Sequence, residues 1–129
     1  MFKDFDNMYI SSDLRRKYKL FSMILQERKI DFLVTCTYRS QEEQDKLYAQ
    51  GRTLQGKIVT KVKNSKHTEG AAFDIAILKN GKISWENRDY IAAGLIGMAV
   101  GLRWGGDFDE DGIIYEKDTF IDAPHFELK

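Results

Sequence analysis

Cysteine and proline each occur once in the 129 residues, and histidine twice. A single cysteine cannot close an internal disulfide, so the fold does not depend on an oxidising compartment. Cys36 ends the apolar run 32–36 (Phe-Leu-Val-Thr-Cys) and reads as a small buried hydrophobe rather than a nucleophile. Neither sign of charge is in excess, Lys plus Arg and Asp plus Glu being 20 each, which argues against a nucleic-acid binder driven by phosphate contacts. A local basic patch over 57–66 is compatible with that balance. No apolar run approaches the roughly 20 residues of a membrane span. The start, Met-Phe-Lys-Asp-Phe-Asp, shows no basic segment followed by an apolar one, so no secretory leader is expected and the chain should stay in the cytoplasm that makes it until something releases it. Repeats, low-complexity tracts and linkers are absent from the sequence as well.

What is present suits one soluble globular domain over residues 1–129, acting as a monomer. Leu14, Tyr18, Phe21 and Leu25 recur at helical spacing, which predicts a helix over 12–29 capped by Ser11 or Ser12. A buried strand is expected at 31–36. Ser40 with Glu43 three residues on is a capping box, opening a helix that stops at Gly51. The lysine-rich segment 52–66 reads as a loop with a short strand around 58–62. Residues 71–78 read as a strand, Asn80-Gly81 as a two-residue hairpin turn, and 82–85 as its return. A third helix fits 86–100, although Gly94 and Gly97 each weaken it by about 1 kcal/mol. Short strands are expected at 102–104 and 125–128, with an acidic loop over 107–118. Helices and hairpin strands without regular βαβ alternation predict an α+β fold with a small antiparallel sheet flanked by helices.

The two histidines, His67 and His125, lie 58 residues apart, and each has an acid at a suggestive spacing: Asp74 seven residues after the first, Asp122 three before the second. A catalytic zinc site takes three ligands from His, Asp and Glu and leaves a fourth position open, and two imidazoles with one carboxylate meet that count. Spacing alone does not decide it, because two histidines in a chain this long are ordinary, one on the surface and one satisfied in the core. Small residues between His67 and Asp74 (Gly70, Ala71, Ala72) let the backbone turn into a strand close to an ion, and Pro124 restricts the approach to His125.

Four separated motifs then point one way. Ser65-x-His67-x-x-Gly70-x-Ala72-x-Asp74 resembles the first metal motif of the zinc D-alanyl-D-alanine metallopeptidase family, a likeness that implies the hedgehog/DD-peptidase type of fold. Asp122-x-Pro124-His125-Phe126-Glu127 resembles its second. Tyr38-Arg39-Ser40 followed by Glu43, Gln44, Leu47, Tyr48 and Gly51 is similar to its substrate-side segment, and Gly105-Gly106-Asp107-Phe108 to a turn found there. Within the family the chain looks most like the L-alanyl-D-glutamate peptidases of phage endolysins, since Asp122 stands where the dipeptidases and carboxypeptidases carry glutamate. The resemblance implies a zinc endopeptidase acting on the stem peptide of bacterial peptidoglycan, at the L-Ala–D-Glu bond. His67, Asp74 and His125 would hold Zn2+, Asp122 would be the catalytic base, and Arg39 and Ser65 would bind substrate. Glu127, two residues along a strand from His125, is the rival base.

Asp107, Asp109, Asp111 and Asp118, with Gly112 and Ile114, match much of a calcium-binding loop, and a Ca2+ ion there could order the segment leading to Asp122. Two other readings stand beside the endopeptidase: a D,D-carboxypeptidase or dipeptidase of the same family, and a non-enzymatic module that holds calcium or wall peptide.

Overall fold

The computed structural model describes residues 9–58, 65–107 and 122–129. Helix α1 (Ser12–Glu27) starts where Ser11 Oγ accepts from the Asp13 N–H at 3.2 Å. It buries Leu14, Phe21 and Leu25 completely along one stripe. Each such side chain contributes about 1.5–3 kcal/mol by leaving water. Strand β1 (Phe32–Cys36) follows, then α2 (Gln41–Ala49), whose capping box forms between Ser40 and Glu43.

A 3₁₀ turn, Lys66–Glu69, leads into β2 (Ala72–Lys79). It ends at Gly70, whose φ of 65° is left-handed and where a Cβ would fall 1.8 Å from the Tyr9 carbonyl oxygen. No side chain fits there. The hairpin turn at Asn80-Gly81 has positive φ at both residues, 53° and 78°, as a type I′ turn requires. Its return strand β3 (Lys82–Ile83) is shorter than expected, and Trp85 is already 87% exposed.

The predicted helix over 86–100 is split into a 3₁₀ turn, Asn87–Tyr90, and α3 (Ile91–Ala99). The Tyr90 hydroxyl donates to the Ser84 carbonyl at 2.9 Å and accepts from the Ile77 N–H at 3.2 Å, pinning the turn to β2. The two glycines of α3 are contact points rather than weak spots. A Cβ on Gly94 would meet the Trp104 ring at 2.2 Å, and one on Gly97 the Phe126 ring at 2.5 Å. Strands β4 (Leu102–Trp104) and β5 (His125–Leu128) complete the sheet. Of the strand expected around 58–62, Ile58 is exposed coil and the rest lies outside the described residues, as does most of the 107–118 loop.

The sheet is antiparallel, in the order β1-β2-β5-β4, with β3 paired to β2. Its two faces have opposite chemistry. Phe73, Phe126 and Trp104 stand side by side across β2, β5 and β4, all fully buried, with Phe21 of α1 against the first two at centroid distances of 5.4 and 4.9 Å. Their neighbours in sequence point the other way. Asp74 pairs with His125, and Ala72, Glu127 and Arg103 form the next row. The α+β expectation therefore holds, and the sheet carries its polar residues on the face away from α1.

Candidate metal centre

His67 enters this polar face from the 3₁₀ turn, which Ser65 caps by accepting the His67 N–H at 3.1 Å. Its Nδ1 lies 2.7 Å from the Thr37 carbonyl oxygen, an acceptor, so Nδ1 keeps a proton and Nε2 is the nitrogen that carries the lone pair when the ring is neutral. That Nε2 is 3.2 Å from Asp74 Oδ1. On the opposite side, His125 Nδ1 is 2.9 Å from the same oxygen. The two rings stand 5.1 Å apart at 70°. One carboxylate oxygen of β2 thus meets two imidazole nitrogens, one from the adjoining 3₁₀ turn and one from β5, 51 residues further along the chain. All three residues sit at the boundary of the core, with His67 and His125 buried.

The electrostatics follow from this sharing. Burial alone would lower both imidazole pKa values, yet hydrogen bonds to Asp74, with further ones from Cys36 and Glu127, lift His67 to about 10 and His125 to about 9. Burial would raise the Asp74 pKa, and the two imidazoles override it and hold the carboxyl well below the usual range. Such a carboxylate is ionised at any ordinary pH, and its charge is what keeps the two imidazoles protonated in the metal-free chain.

Asp122 reaches the same place through a tight turn in which His125 N–H donates to the Asp122 carbonyl at 3.0 Å. Its backbone N–H donates to Gly105 O at 2.8 Å, and a Cβ on Gly105 would lie 1.9 Å from the Asp122 carbonyl oxygen. The Gly-Gly turn is thereby what lets Asp122 approach. Burial and the charge of Asp74 push the Asp122 pKa up, against the pull of His125, His67 and Arg39. Arg39 is tied in by its N–H to the His67 carbonyl at 3.1 Å, and its guanidinium is aimed by Gln44 Oε1 at 2.7 Å. Gln44 is completely buried, a polar anchor that sequence patterning on a helix does not single out.

Cys36 departs from the sequence reading. A bulge at Thr35 shifts the β1–β2 register, pairing Val34 with Ile75 but Cys36 with Asp74. One extra residue turns the thiol from the core face to the polar face. There Sγ lies 3.6 Å from His67 Nδ1 and accepts from Arg39 Nη2 at 3.4 Å. Burial would raise its pKa, but His67 and Arg39 lower it. Cys36, His67 and Asp74 also form a donor cluster with ligand atoms within 4.8 Å of one another. Cys36, however, faces the His67 nitrogen already committed to Thr37, whereas Asp74 and His125 meet on the Nε2 side.

The calcium expectation finds no support among the described residues. Asp107 is buried and follows β4 and a turn, where an EF-hand would have a helix. Asp109, Asp111 and Asp118 lie outside the described residues. No described helix is long and apolar enough to cross a membrane.

Residues 12–129 match the family model of the phage L-alanyl-D-glutamate peptidases. The chain belongs to that family. The match begins at α1, so the helix that carried none of the sequence motifs is part of the L-alanyl-D-glutamate peptidase pattern too. The peptidoglycan L-alanyl-D-glutamate endopeptidase CwlK of Bacillus subtilis (strain 168) is 36% identical over 111 residues, 77% of this chain and 61% of that protein. This member of the family therefore spans about three-fifths of the length of the curated relative it matches. The crystal structure of the Serratia marcescens L-Ala D-Glu endopeptidase ChiX aligns with TM-score 0.65 and 26% identity over 93% of this chain and 80% of that one. VanYB, solved in complex with D-alanine-D-alanine, shares the fold: TM-score 0.61 and 15% identity, covering 92% of this chain and 71% of that one.

Proposed function

We propose that this chain is a zinc-dependent endopeptidase of the phage-lysin type that cuts the L-Ala–D-Glu bond in the peptidoglycan stem peptide. The observation that carries the reading is the single Asp74 oxygen placed at 3.2 and 2.9 Å from one nitrogen of each histidine. Family membership and the names of CwlK and ChiX support the substrate class. His67 Nε2, Asp74 Oδ1 and His125 Nδ1 would hold the ion, a donor set suited to zinc. Zinc, when bound, supplies Lewis-acid polarisation of a peptide carbonyl and acidification of water.

The remaining work belongs to the chain. Asp122, held beside the cluster by its turn and with its pKa raised by burial and by Asp74, takes a proton from the attacking water and returns it to the leaving amine. Arg39, braced by Gln44, offers the rest of its fork to a carboxylate of the stem peptide. Ser65 is engaged as the cap of the His67 turn, which favours a positioning role over a substrate contact. The chain would act as a monomer, produced inside the host and working on its wall.

The test is digestion of purified wall with and without a chelator, the fragments read by mass spectrometry. New peptides beginning with D-Glu, lost on chelation and restored by zinc, are expected. Release of terminal D-Ala alone would instead indicate a D,D-carboxypeptidase, and digestion indifferent to thorough chelation would overturn the metal reading.

A further inference from the structure

We propose that Glu127, itself anchored by Arg103, is a positioning residue that fixes the orientation and tautomer of His125 for metal binding. The inference rests on the reading of His125 as a ligand and assigns Glu127 a role other than proton transfer. His125 has two nitrogens, and each faces a carboxylate: Nδ1 faces Asp74 Oδ1 at 2.9 Å, and Nε2 faces Glu127 Oε1 at 2.8 Å. An ionised carboxylate only accepts, so Nε2 donates its hydrogen to Glu127. Nδ1 likewise donates to Asp74 in the metal-free chain; once an ion takes the place of that proton, Nε2 keeps its hydrogen on Glu127 and the lone pair is on Nδ1, the nitrogen turned toward Asp74 and His67.

Glu127 is itself held from the other side. Its second oxygen accepts from Arg103 Nη1 at 3.3 Å, and the two residues are direct partners across β4 and β5. Across β2 its partner is Ala72, a completely buried small residue that leaves the carboxylate room beside the strand. Glu127 is only 7% exposed, so it is not a surface acid that happened to swing inward. A buried carboxylate carries a desolvation cost, and it persists here because both oxygens are partnered. The chain Arg103–Glu127–His125 thus mirrors, for the second histidine, what the Thr37 carbonyl does for His67. Partners of this kind typically alter metal affinity by about ten- to a hundredfold.

The experiment compares wild type, Glu127→Gln and Glu127→Ala by zinc competition against a chromophoric chelator, with ¹⁵N-resolved imidazole NMR of the zinc-loaded proteins and wall digestion alongside. The amide introduced by E127Q retains an oxygen that accepts from Nε2, so this variant should bind zinc within a few-fold of wild type, keep the His125 Nε2–H resonance and digest wall. E127A should bind zinc about ten- to a hundredfold more weakly and lose that resonance to exchange. Arg103→Ala, which leaves His125 and Glu127 intact, should weaken zinc binding less than E127A does, and it provides the measurement if E127A does not fold. Wild-type zinc affinity in E127A, or unchanged affinity in R103A where E127A cannot be made, overturns the proposal. So does an E127Q variant that binds zinc fully and yet is inactive, because that pattern marks Glu127 as the base. A wild-type chain with no zinc affinity would overturn the underlying metal reading as well, which separates the two failures.

Discussion

Asp122 and Glu127 flank His125 in sequence, yet their surroundings divide their tasks. Glu127 is committed on both oxygens, to His125 and to Arg103, and those bonds and charges lower its pKa against the effect of burial. Asp122 is pushed the other way, by burial and by the charge of Asp74. Two acids with oppositely shifted pKa values beside one site are a usual sign of distinct roles. Asp122→Asn should therefore retain zinc at wild-type stoichiometry and lose about 10²–10⁴ in turnover, the range for a lost general base. Metal analysis and wall digestion on the same preparation check this. A D122N variant that no longer binds zinc would move Asp122 into the ligand set, and one with undiminished turnover would remove it from the chemistry.

At the scale of elements, the glycines of α3 show how packing overrides propensity. Helix scales predict that Gly→Ala gains about 1 kcal/mol in a helix interior. At Gly94 the added Cβ would sit 2.2 Å from the ring of Trp104, which is itself completely buried. Overpacking of that kind costs about 1–3 kcal/mol. Gly94→Ala should thus lower the urea midpoint rather than raise it, and a midpoint at or above wild type would show that Trp104 can move aside.

The same comparison marks what sequence can reveal. The capping box at Ser40, the Asn80-Gly81 turn and the stripe of α1 follow from local chemistry, and each is found as expected. The convergence of His67, Asp74 and His125 was legible only through the resemblance of the motifs around them to those of a known family, since their spacing by itself is ordinary. Cys36 was not, because its place depends on a one-residue bulge at Thr35 that only the paired strand reveals. Nor were Gln44 and Glu127 as anchors, since a buried polar side chain is identified by its partners and not by its position in a pattern. The break between Tyr90 and α3 was hidden for a similar reason: it depends on a hydroxyl bridging Ser84 and Ile77.

For the whole molecule, the separation of the two sheet faces decides how the metal couples to folding. The Phe21, Phe73, Phe126 and Trp104 cluster holds the sheet on α1 and α3 without reference to an ion, so the metal-free chain should fold. Zinc then adds stability by mass action, about 2.7 kcal/mol at a hundredfold excess over Kd, or several degrees in Tm. That increment must depend on pH. In the metal-free protein, burial lowers the imidazole pKa values but the bonds to Asp74 raise them further, to about 10 for His67 and about 9 for His125. Their contribution to stability is fully present below the unfolded value of about 6.5 and is lost as pH rises through about 9 and 10. Zinc binding needs both rings deprotonated and displaces those protons, so it strengthens over the same interval. Thermal unfolding at about pH 6.0 and pH 8.5, on either side of the unfolded imidazole value, is run with a chelator and with fixed free zinc. The zinc-induced rise in Tm should be larger at the higher pH, with the chelated protein unfolding cooperatively at both. An equal or larger rise at the lower pH would mean that the ion does not compete with protons at His67 and His125, and a chelated protein without a cooperative transition would mean that the apolar face cannot hold the fold alone.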